Sequence, residues 1–193
     1  MLSEHSPDPW TRVQTRHGFP ADEVISALQK EIRRGHTEGA ALLAYEMMTT
    51  SPELETKLWH RLLTISVEDV GLGDVHAPVL VHTLHQMRQT PSMSDGERRL
   101  FAIHAVRYLC AATKDRSSDE MAAWLKREVE SGRLLPTIPD YALDMHTARG
   151  QALGRGQRHF YEEGARVDPE LPDRDTTYRQ RILDLLDQTE PES

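Results

Sequence analysis

The sequence predicts an all-α protein, a bundle of helices, and three observations support this fold class. Apolar residues recur at intervals of three and four along most of the chain, which places them on one face of a helix. No segment alternates apolar and polar residues with the period of two that is typical of a half-buried strand. Capping residues and glycines separate the apolar segments, and short connections favour antiparallel neighbours in a bundle.

The first three helices are bounded by glycines and by a serine cap. Apolar spacing predicts one helix over residues 22–34 and a second over residues 38–50. Ser51 is expected to cap the third helix, because its hydroxyl can accept a backbone N–H and proline, the next residue, is tolerated in the first turn. Gly71 is expected to end this helix.

Three further helices are predicted before residue 133. A helix over residues 77–89 should bury Leu80, Leu84 and Met87. The capping-box pattern Ser94-Asp95-Gly96-Glu97 opens a segment that is apolar almost all round and is therefore expected at the centre of the bundle. A second capping-box pattern, at residues 117–120, opens a helix with its own apolar stripe. That stripe consists of Met121, Trp124, Leu125 and Val129.

The expected organisation is a single helical domain, residues 21–172, between an arm and a tail. Residues 1–20 contain prolines and no apolar periodicity, so we expect a flexible or extended arm. The irregular, proline- and glycine-containing segment 134–172 should include a short helix near residues 140–153. Residues 173–193 are expected to form an amphipathic C-terminal helix and a frayed acidic tail.

Composition and charge exclude several classes of protein. The formal net charge of -8 argues against a sequence-independent nucleic-acid binder, which needs many cationic contacts to phosphate. The single cysteine, Cys110, excludes an intrachain disulfide and an all-cysteine metal site. The start of the chain lacks the apolar region of a signal peptide, and no apolar run approaches the about 20 residues that span a bilayer. We therefore expect a cytoplasmic protein with no membrane partner.

Two acids stand where the third helix is expected to end. Glu68 and Asp69 lie in the stretch ISVEDVGLGD, although carboxylates there oppose the negative end of the helix dipole. Lys114 and Arg116, with Asp115 between them, follow the central helix and offer the counter-ions that such acids need. We interpret these five residues as a structural joint that closes the fold. Solvated acids and a small functional site are the alternatives.

A second group of polar residues lies in the glycine-containing segment. Its members are Asp144, His146, Arg149, Arg155 and Arg158. No acid occurs from residue 145 to residue 161, and arginines beside flexible glycines can approach phosphate closely. We interpret this group as a surface that faces a partner or DNA, and the alternative is a solvated, partly basic connector.

No catalytic, metal or cofactor site is predicted. His82 and His85 would share a helix face, but the glutamate of the H-E-x-x-H zinc pattern is missing. The sequence contains neither the G-x-S-x-G pattern of a serine nucleophile nor the G-x-x-x-x-G-K-[ST] phosphate loop. We therefore expect a protein that is not an enzyme and binds no cofactor or metal.

Three stretches of the sequence resemble a known family. They are ISALQKEIR (residues 25–33), ISVEDVGLGD (residues 65–74) and LCAATKDRS (residues 109–117). Together they resemble the C-terminal helical domain of the replication-associated recombination protein A family (MgsA/RarA), which is related to the eukaryotic Werner-helicase-interacting ATPase. The likeness covers about residues 22–160, and its last part, from IPD at residues 138–140 to the glycines near residue 156, is looser.

The resemblance implies a function as well as a fold. Such proteins are AAA+ ATPases related to clamp loaders, and their C-terminal part resembles the clamp-loader collar, mediates tetramer formation and serves replication-fork maintenance. Without a phosphate loop, this sequence looks like the collar-like domain as a stand-alone protein that lacks the ATPase domain. We expect a non-catalytic module for oligomerisation and partner binding in DNA replication or repair. Its expected partners are a second copy, forming a tetramer by resemblance, a separate AAA+ ATPase, and DNA.

The competing interpretation is a small helical ligand-binding or metal-binding protein, or an enzyme. Its site would lie between Glu68–Asp69 and Asp144–His146. A monomer with a deep pocket would favour this interpretation, whereas a tetramer would favour the module.

Overall fold

The computed structural model describes residues 8–189, and this part of the chain is helical. Within it there are nine α-helices joined by short 3₁₀ and π turns, and there is no strand. The all-α class predicted from the sequence is therefore confirmed. Among the described residues, no helix combines the length and the hydropathy needed to cross a membrane.

The chain divides into two compact units, Met1–Arg133 and Leu134–Ser193. The sequence had predicted one helical domain over residues 21–172, so the structure places the boundary elsewhere. The reason is that residues 133–139 run as an exposed, proline-containing connection without regular structure. Of the hydrophobic side chains buried in the described residues, only Leu143 and Leu186 belong to the second unit.

The described part of the first unit, residues 8–133, contains six α-helices. They are α1 (Ala21–Arg34), α2 (Thr37–Thr50), α3 (Pro52–Ile65), α4 (Ala77–Met87), α5 (Asp95–Ala111) and α6 (Ser117–Glu130). The predicted serine cap of α3 is confirmed, because the Ser51 hydroxyl accepts the N–H of Leu54 at 3.2 Å. The capping box of α5 is confirmed as well, with Ser94 and Glu97 bonding each other's backbone N–H.

The core lies where α1 to α5 pack against each other. Its largest fully buried side chains are Leu28, Ile32, Met47, Leu54, Leu58, Trp59, Leu62 and Ile65. The central helix α5 packs against α2, and both bury alanines on their inner faces, Ala102 and Ala105 on α5 and Ala40 and Ala44 on α2. Small residues allow the two helix backbones to approach closely, as close packing of the interior requires.

The predicted burial of Met87 is wrong, since this side chain is 47% exposed. The position that covers this end of the core is the next one, Arg88. Its guanidinium lies 5.1 Å from the ring centroid of Trp59, and its Nη1 donates to Glu55 at 2.6 Å. An arginine can cover apolar surface with the stem of its side chain while its charge stays paired. Arg88 therefore covers this end of the core, and Met87 is left exposed.

Residues 8–20 are more ordered than the predicted arm. A 3₁₀ turn, Pro9–Arg12, is followed by an isolated bridge between Gln14 and Pro20, and Trp10 and Val13 pack against the core. Residues 1–7 of the predicted arm and residues 190–193 of the predicted tail lie outside the described residues.

In the second unit, residues 134–189 are described and contain three α-helices: α7 (Ala148–Ala152), α8 (Gln157–His159) and α9 (Thr177–Thr189). A 3₁₀ turn, Asp140–Ala142, and a π turn, Phe160–Gly164, complete its regular structure. Residues 134–172 thus mix short helical pieces with irregular chain, as the sequence predicted.

Candidate functional site

The stretch SVEDVGLGD (residues 66–74) forms the connection between α3 and α4. The chain leaves α3 in a π turn, Ser66–Val70, and continues in a 3₁₀ turn, Gly71–Gly73. We call residues 66–74 the SVEDVGLGD turn. The Asp69 side chain is completely buried in it, and the Glu68 side chain is 25% exposed.

Both acids of this turn bind cationic groups from two other helices. Asp69 accepts hydrogen bonds from Arg33 Nε, from Arg116 Nη1 at 2.8 Å and from Gln29 Nε2 at 2.8 Å. Glu68 accepts from Gln29 at 2.8 Å and lies 3.3 Å from Arg116 and 3.4 Å from Arg33. We call these five residues the acid–arginine cluster. It joins α1, the SVEDVGLGD turn and the start of α6.

Two further residues extend the acid–arginine cluster. Arg61 of α3 donates to Gln29 Oε1 at 3.1 Å, which directs the amide N–H groups of Gln29 toward the acids. Arg116 Nη2 bonds Asp119 in the first turn of α6. Arg116, and not Ser117, is the N-cap residue of α6, and its side chain makes no capping hydrogen bond, so the capping box predicted at residues 117–120 is wrong. The Asp119 carboxylate pairs with Arg116 instead of accepting a backbone N–H of the helix.

The hydrogen bonds of the cluster keep Asp69 ionised. Burial is the largest single influence on its carboxyl group and by itself raises the pKa. Hydrogen bonds from Arg33, Gln29 and Arg116 together outweigh burial, so the pKa of Asp69 lies below its ordinary value. The buried carboxylate is therefore charged at neutral pH and fully paired, as a buried charge must be.

Two glycines allow the backbone of the turn to lie directly against the chain that follows α5. A Cβ atom on Gly71 would lie 2.3 Å from the carbonyl oxygen of Asp115, and one on Gly73 would lie 2.6 Å from that of Thr113. Gly71 also has a φ of +52°, in the left-handed region that favours glycine. The Asp115 N–H bonds the carbonyls of Asp69 and Val70, both at 3.1 Å. The contact is thus backbone to backbone, and a side chain at Gly71 or Gly73 would prevent it.

Lys114 has a different role from the predicted counter-ion. Its Nζ donates to three carbonyls at the end of α5, those of Leu109 at 2.7 Å, Cys110 at 3.2 Å and Ala112 at 2.6 Å. A cation there satisfies acceptors that a helix end leaves without a partner and complements its dipole. The Asp115 carboxylate accepts the Ser117 N–H at 2.8 Å and so belongs to the start of α6.

Sequence reasoning missed Gln29 and Arg33. They lie one turn apart on α1, at i and i+4, and therefore share a face. Both occur in ISALQKEIR, the first stretch that resembles the family, and this was the signal that could have found them.

The outer side of the SVEDVGLGD turn is apolar. Val67, Leu72 and Val75 are 53%, 69% and 61% exposed. Two shallow grooves, of about 510 and 220 Å³, run along this side, and Val67 and Ser118 line both. The grooves connect the turn to the first part of α6.

The apolar stripe of α6 is exposed as well, although such a stripe usually faces a core. Met121, Trp124, Leu125 and Val129 are 60%, 51%, 36% and 48% exposed, and no residue of α6 is buried. This helix packs mainly on the π and 3₁₀ turns through its N-terminal end. Within the first unit, the other helices therefore leave the apolar face of α6 and the adjoining grooves uncovered.

The predicted polar group of the second unit mostly bonds within that unit. Asp144 accepts the N–H of His146 at 2.9 Å, and their side chains lie 3.2 Å apart. Arg155 donates to the Asp140 carboxylate at 2.7 Å and to the Leu143 carbonyl at 2.9 Å.

Arg158 pairs with Glu162 at 3.1 Å and also with Asp187. Arg149 is exposed and has no ion pair among the described residues. Of the three predicted phosphate-facing arginines, two are thus engaged inside the protein.

The alternative ligand site joins Glu68–Asp69 of the first unit to Asp144–His146 of the second unit and stays a prediction. Among the described residues, no three histidine, cysteine, aspartate or glutamate side chains form a group that could hold a metal ion. His82 is exposed, and the ring of His85 packs on Trp59 with centroids 5.0 Å apart.

Comparison with known proteins identifies the family. No curated protein matches this chain. The family model described as "MgsA AAA+ ATPase C terminal" matches residues 35–171, which include the SVEDVGLGD turn, all of α2 to α8 and Arg116. The match spans well over half of the chain and confirms the resemblance found in the sequence. The chain therefore belongs to the family of MgsA AAA+ ATPase C-terminal domains.

Proposed function

We propose that this protein is a non-catalytic assembly module that binds a second copy of itself through the face centred on α6. We call this face the α6 surface. It comprises Val67, Leu72, Val75, Met121, Trp124, Leu125 and Val129. The observation that supports the proposal is that α6 carries a complete apolar stripe at helical spacing and that each of its four side chains is between 36% and 60% exposed.

The size of the α6 surface suits a stable interface. Its exposed fractions correspond to roughly 700 Å² of mainly apolar area, close to the ~800 Å² that each partner contributes to an interface of standard size. Large apolar patches of this kind on a soluble protein mark interaction sites. Trp124 and Met121 are residue types enriched at the centre of interfaces.

A second copy is the occupant that this geometry favours. An apolar stripe on one helix is complementary to the same stripe on an identical helix related by a two-fold axis. Spacings of three and four residues are those by which helix pairs interlock. The family likeness supports self-association too, because the C-terminal part of such ATPases mediates oligomer formation.

The family likeness supports a role in DNA replication or repair. This sequence contains no phosphate loop to hold a nucleoside triphosphate. We propose that a separate AAA+ ATPase supplies the motor and that this module sets how many copies assemble with it.

Light scattering coupled to size-exclusion chromatography tests the proposal. The wild-type protein should elute with a multiple of 22.0 kDa, its chain mass. Leu125→Glu places a charge at the middle of the stripe, and burying an unpaired charge costs several kcal/mol, so this variant should be monomeric. Ala123→Glu adds the same charge on the opposite, exposed face of α6 and should keep the wild-type mass.

Either of two results would contradict self-association through α6. The first is a monomeric wild type at about 100 µM, a concentration at which an interface with a micromolar Kd is occupied. The second is a Leu125→Glu variant with the wild-type mass. Circular dichroism of both variants verifies that each remains helical.

A further inference from the structure

The first unit contains an apolar pocket beside the start of α1. Its volume is about 510 Å³, within the range of about 300–1,000 Å³ that is typical of small-molecule sites. Its walls come from residues 13–20, which we call the hook, and from one turn each of α1 and α2. The apolar side chains that line it are Phe19, Val24, Ala27, Leu42, Leu43 and Tyr45. None of them belongs to the α6 surface.

Backbone hydrogen bonds hold the hook in position as one wall of the pocket. Within the hook, the Thr15 N–H donates to the Phe19 carbonyl at 2.8 Å. The Arg16 N–H donates to the hydroxyl of Thr50, the last residue of α2, at 3.0 Å. The pocket is therefore formed before a ligand arrives, and binding does not have to pay the entropy of ordering a wall.

Two glutamates also line the pocket, and only one of them is paired. Glu46 Oε1 accepts the N–H of His17 at 3.0 Å, and Glu46 Oε2 lies 2.6 Å from His17 Nδ1, so the hook occupies both oxygens of this carboxylate. Glu23 is exposed and has no hydrogen bond or ion pair with any described residue. The pocket thus combines an apolar surface with one carboxylate that has no partner in the described part of the chain.

This lining favours an apolar ligand that carries a positive charge. Phe19, Leu42 and Tyr45 are 56%, 66% and 47% exposed, so a ligand that covers them removes apolar surface from water. The Glu23 carboxylate offers the acceptor that an ammonium group needs. The competing charge is Arg99, whose guanidinium lies 5.8 Å from the ring centroid of Tyr45 but does not line the pocket.

We propose that this pocket binds a small apolar molecule with one ammonium group, which pairs with Glu23. A small molecule fits the pocket better than a partner helix, because α1 and α2 contribute only residues 23–27 and 42–46 to its walls. Such a segment rises about 6 Å, whereas a helix that docks in a groove uses anchors spread over two turns. The hook and α1 precede residues 35–171, so the family match does not account for this site.

Calorimetric titration of the full chain with four probes tests the proposal. Octylammonium, octanol and octanoate share an eight-carbon tail and differ in charge, and octylammonium should bind about fivefold tighter than octanol, the upper end for an exposed ion pair. Butylammonium has the same charge and four fewer carbons, and should bind at least about tenfold more weakly than octylammonium. Octanoate binding tighter than octylammonium would place the ligand's charge on Arg99 or His17 and overturn the proposal. Equal affinities for the two ammonium ions would overturn it too.

The variant Glu23→Gln tests the role of the carboxylate. It should lower the affinity for octylammonium to that for octanol and leave octanol binding unchanged, because only the charge is removed. The matched control is Glu38→Gln, which removes an exposed carboxylate of α2 that does not line the pocket, and it should change either affinity by less than about 1.5-fold. Equal losses in the two variants, or wild-type binding of octylammonium by Glu23→Gln, would contradict the assignment.

The variant Ala27→Leu tests the location of the apolar part of the ligand. A larger side chain at this lining position fills the pocket and should weaken the binding of octylammonium and octanol at least about tenfold each. Unchanged octanol binding by a variant that circular dichroism shows to be folded would place the ligand elsewhere and overturn the proposal. If this variant does not fold, Glu23→Gln and the four probes decide. Light scattering on the same samples reports the α6 surface, so the two proposals fail separately.

Discussion

Replacing Asp69 with asparagine tests whether the acid–arginine cluster closes the first unit. Asparagine keeps the size of the side chain and one carbonyl oxygen but removes the charge that Arg33 and Arg116 share. Because the Asp69 carboxylate is fully buried, the two guanidinium groups lose their charged partner on the inner side of the turn. The substitution therefore isolates the electrostatic contribution with little change in packing.

The expected loss of stability follows from the contacts. A hydrogen bond to a charged group contributes about 1.5–3 kcal/mol, and removing one partner of a buried pair costs about 3–5 kcal/mol. The side chains of Arg33 and Arg116 are 30% and 29% exposed, and Glu68 remains as a second acceptor. Solvent screening thus favours the lower end, and we expect the free energy of unfolding to fall by about 3 kcal/mol. In a unit of this size the Tm would fall by about 10 °C.

Tryptophan fluorescence during urea unfolding measures this change selectively. The three tryptophans, Trp10, Trp59 and Trp124, all belong to the first unit, so the signal reports its unfolding. Glu128→Gln is the control, since it removes the same charge from an exposed pair with Arg133 and should cost less than about 0.5 kcal/mol. An Asp69→Asn variant within about 0.5 kcal/mol of wild type, the range of ordinary surface substitutions, would refute the joint.

Three further predictions use the same assay. Gly71→Ala should lower the free energy of unfolding by at least about 3 kcal/mol, because Gly71 has a positive φ and a Cβ there would meet the Asp115 carbonyl. Its control, Gly132→Ala, also has a positive φ, of +72°, but open space around the Cβ, and should cost only about 1–2 kcal/mol. Lys114→Met leaves three carbonyls at the end of α5 without their donor and should cost about 1–3 kcal/mol; an unchanged midpoint in urea would show that water serves them equally well. The pKa of Asp69 is lower in the folded than in the unfolded protein, so its stabilisation is complete at neutral pH and is lost as the pH falls below about 4. The acid limb of stability should therefore be shallower in Asp69→Asn than in wild type, and identical limbs would contradict the pKa assignment.

The parts of the fold that the sequence predicted are those that local interactions determine. Ser51 and Ser94 cap their helices through hydrogen bonds to residues three positions away, and such patterns can be recognised without knowing the fold. Met87 and the stripe of α6 show the limit of this reasoning. Periodicity identifies an apolar face, but whether another element covers that face depends on packing between distant segments.

The candidate site shows the same limit. The sequence indicated that Glu68 and Asp69 need positive partners, because the chemistry of a buried acid requires them. Arg116 was predicted as a partner and does bind Asp69. Arg33 was not predicted, because it lies 36 positions before Asp69 and meets it only through the packing of α1 on α3. Lys114 lies nearer to Asp69 in sequence than Arg116 does. Its amine nevertheless binds the carbonyls at the end of α5, the helix that precedes it.

The two sides of the SVEDVGLGD turn explain why a helix ends in two acids despite its dipole. On the inner side, Glu68 and Asp69 bind Arg116, the residue from which α6 starts. Gly71 and Gly73 let the backbone of the turn contact the chain just before Arg116. The outer side places Val67 and Leu72 beside the first turns of α6. Since α6 packs mainly on these turns, the acid–arginine cluster fixes the direction in which its apolar stripe points. The unfavourable position of two carboxylates is thus offset by ion pairs to the arginine from which α6 starts, and the turn that we predict to close the fold also contacts the surface proposed for assembly.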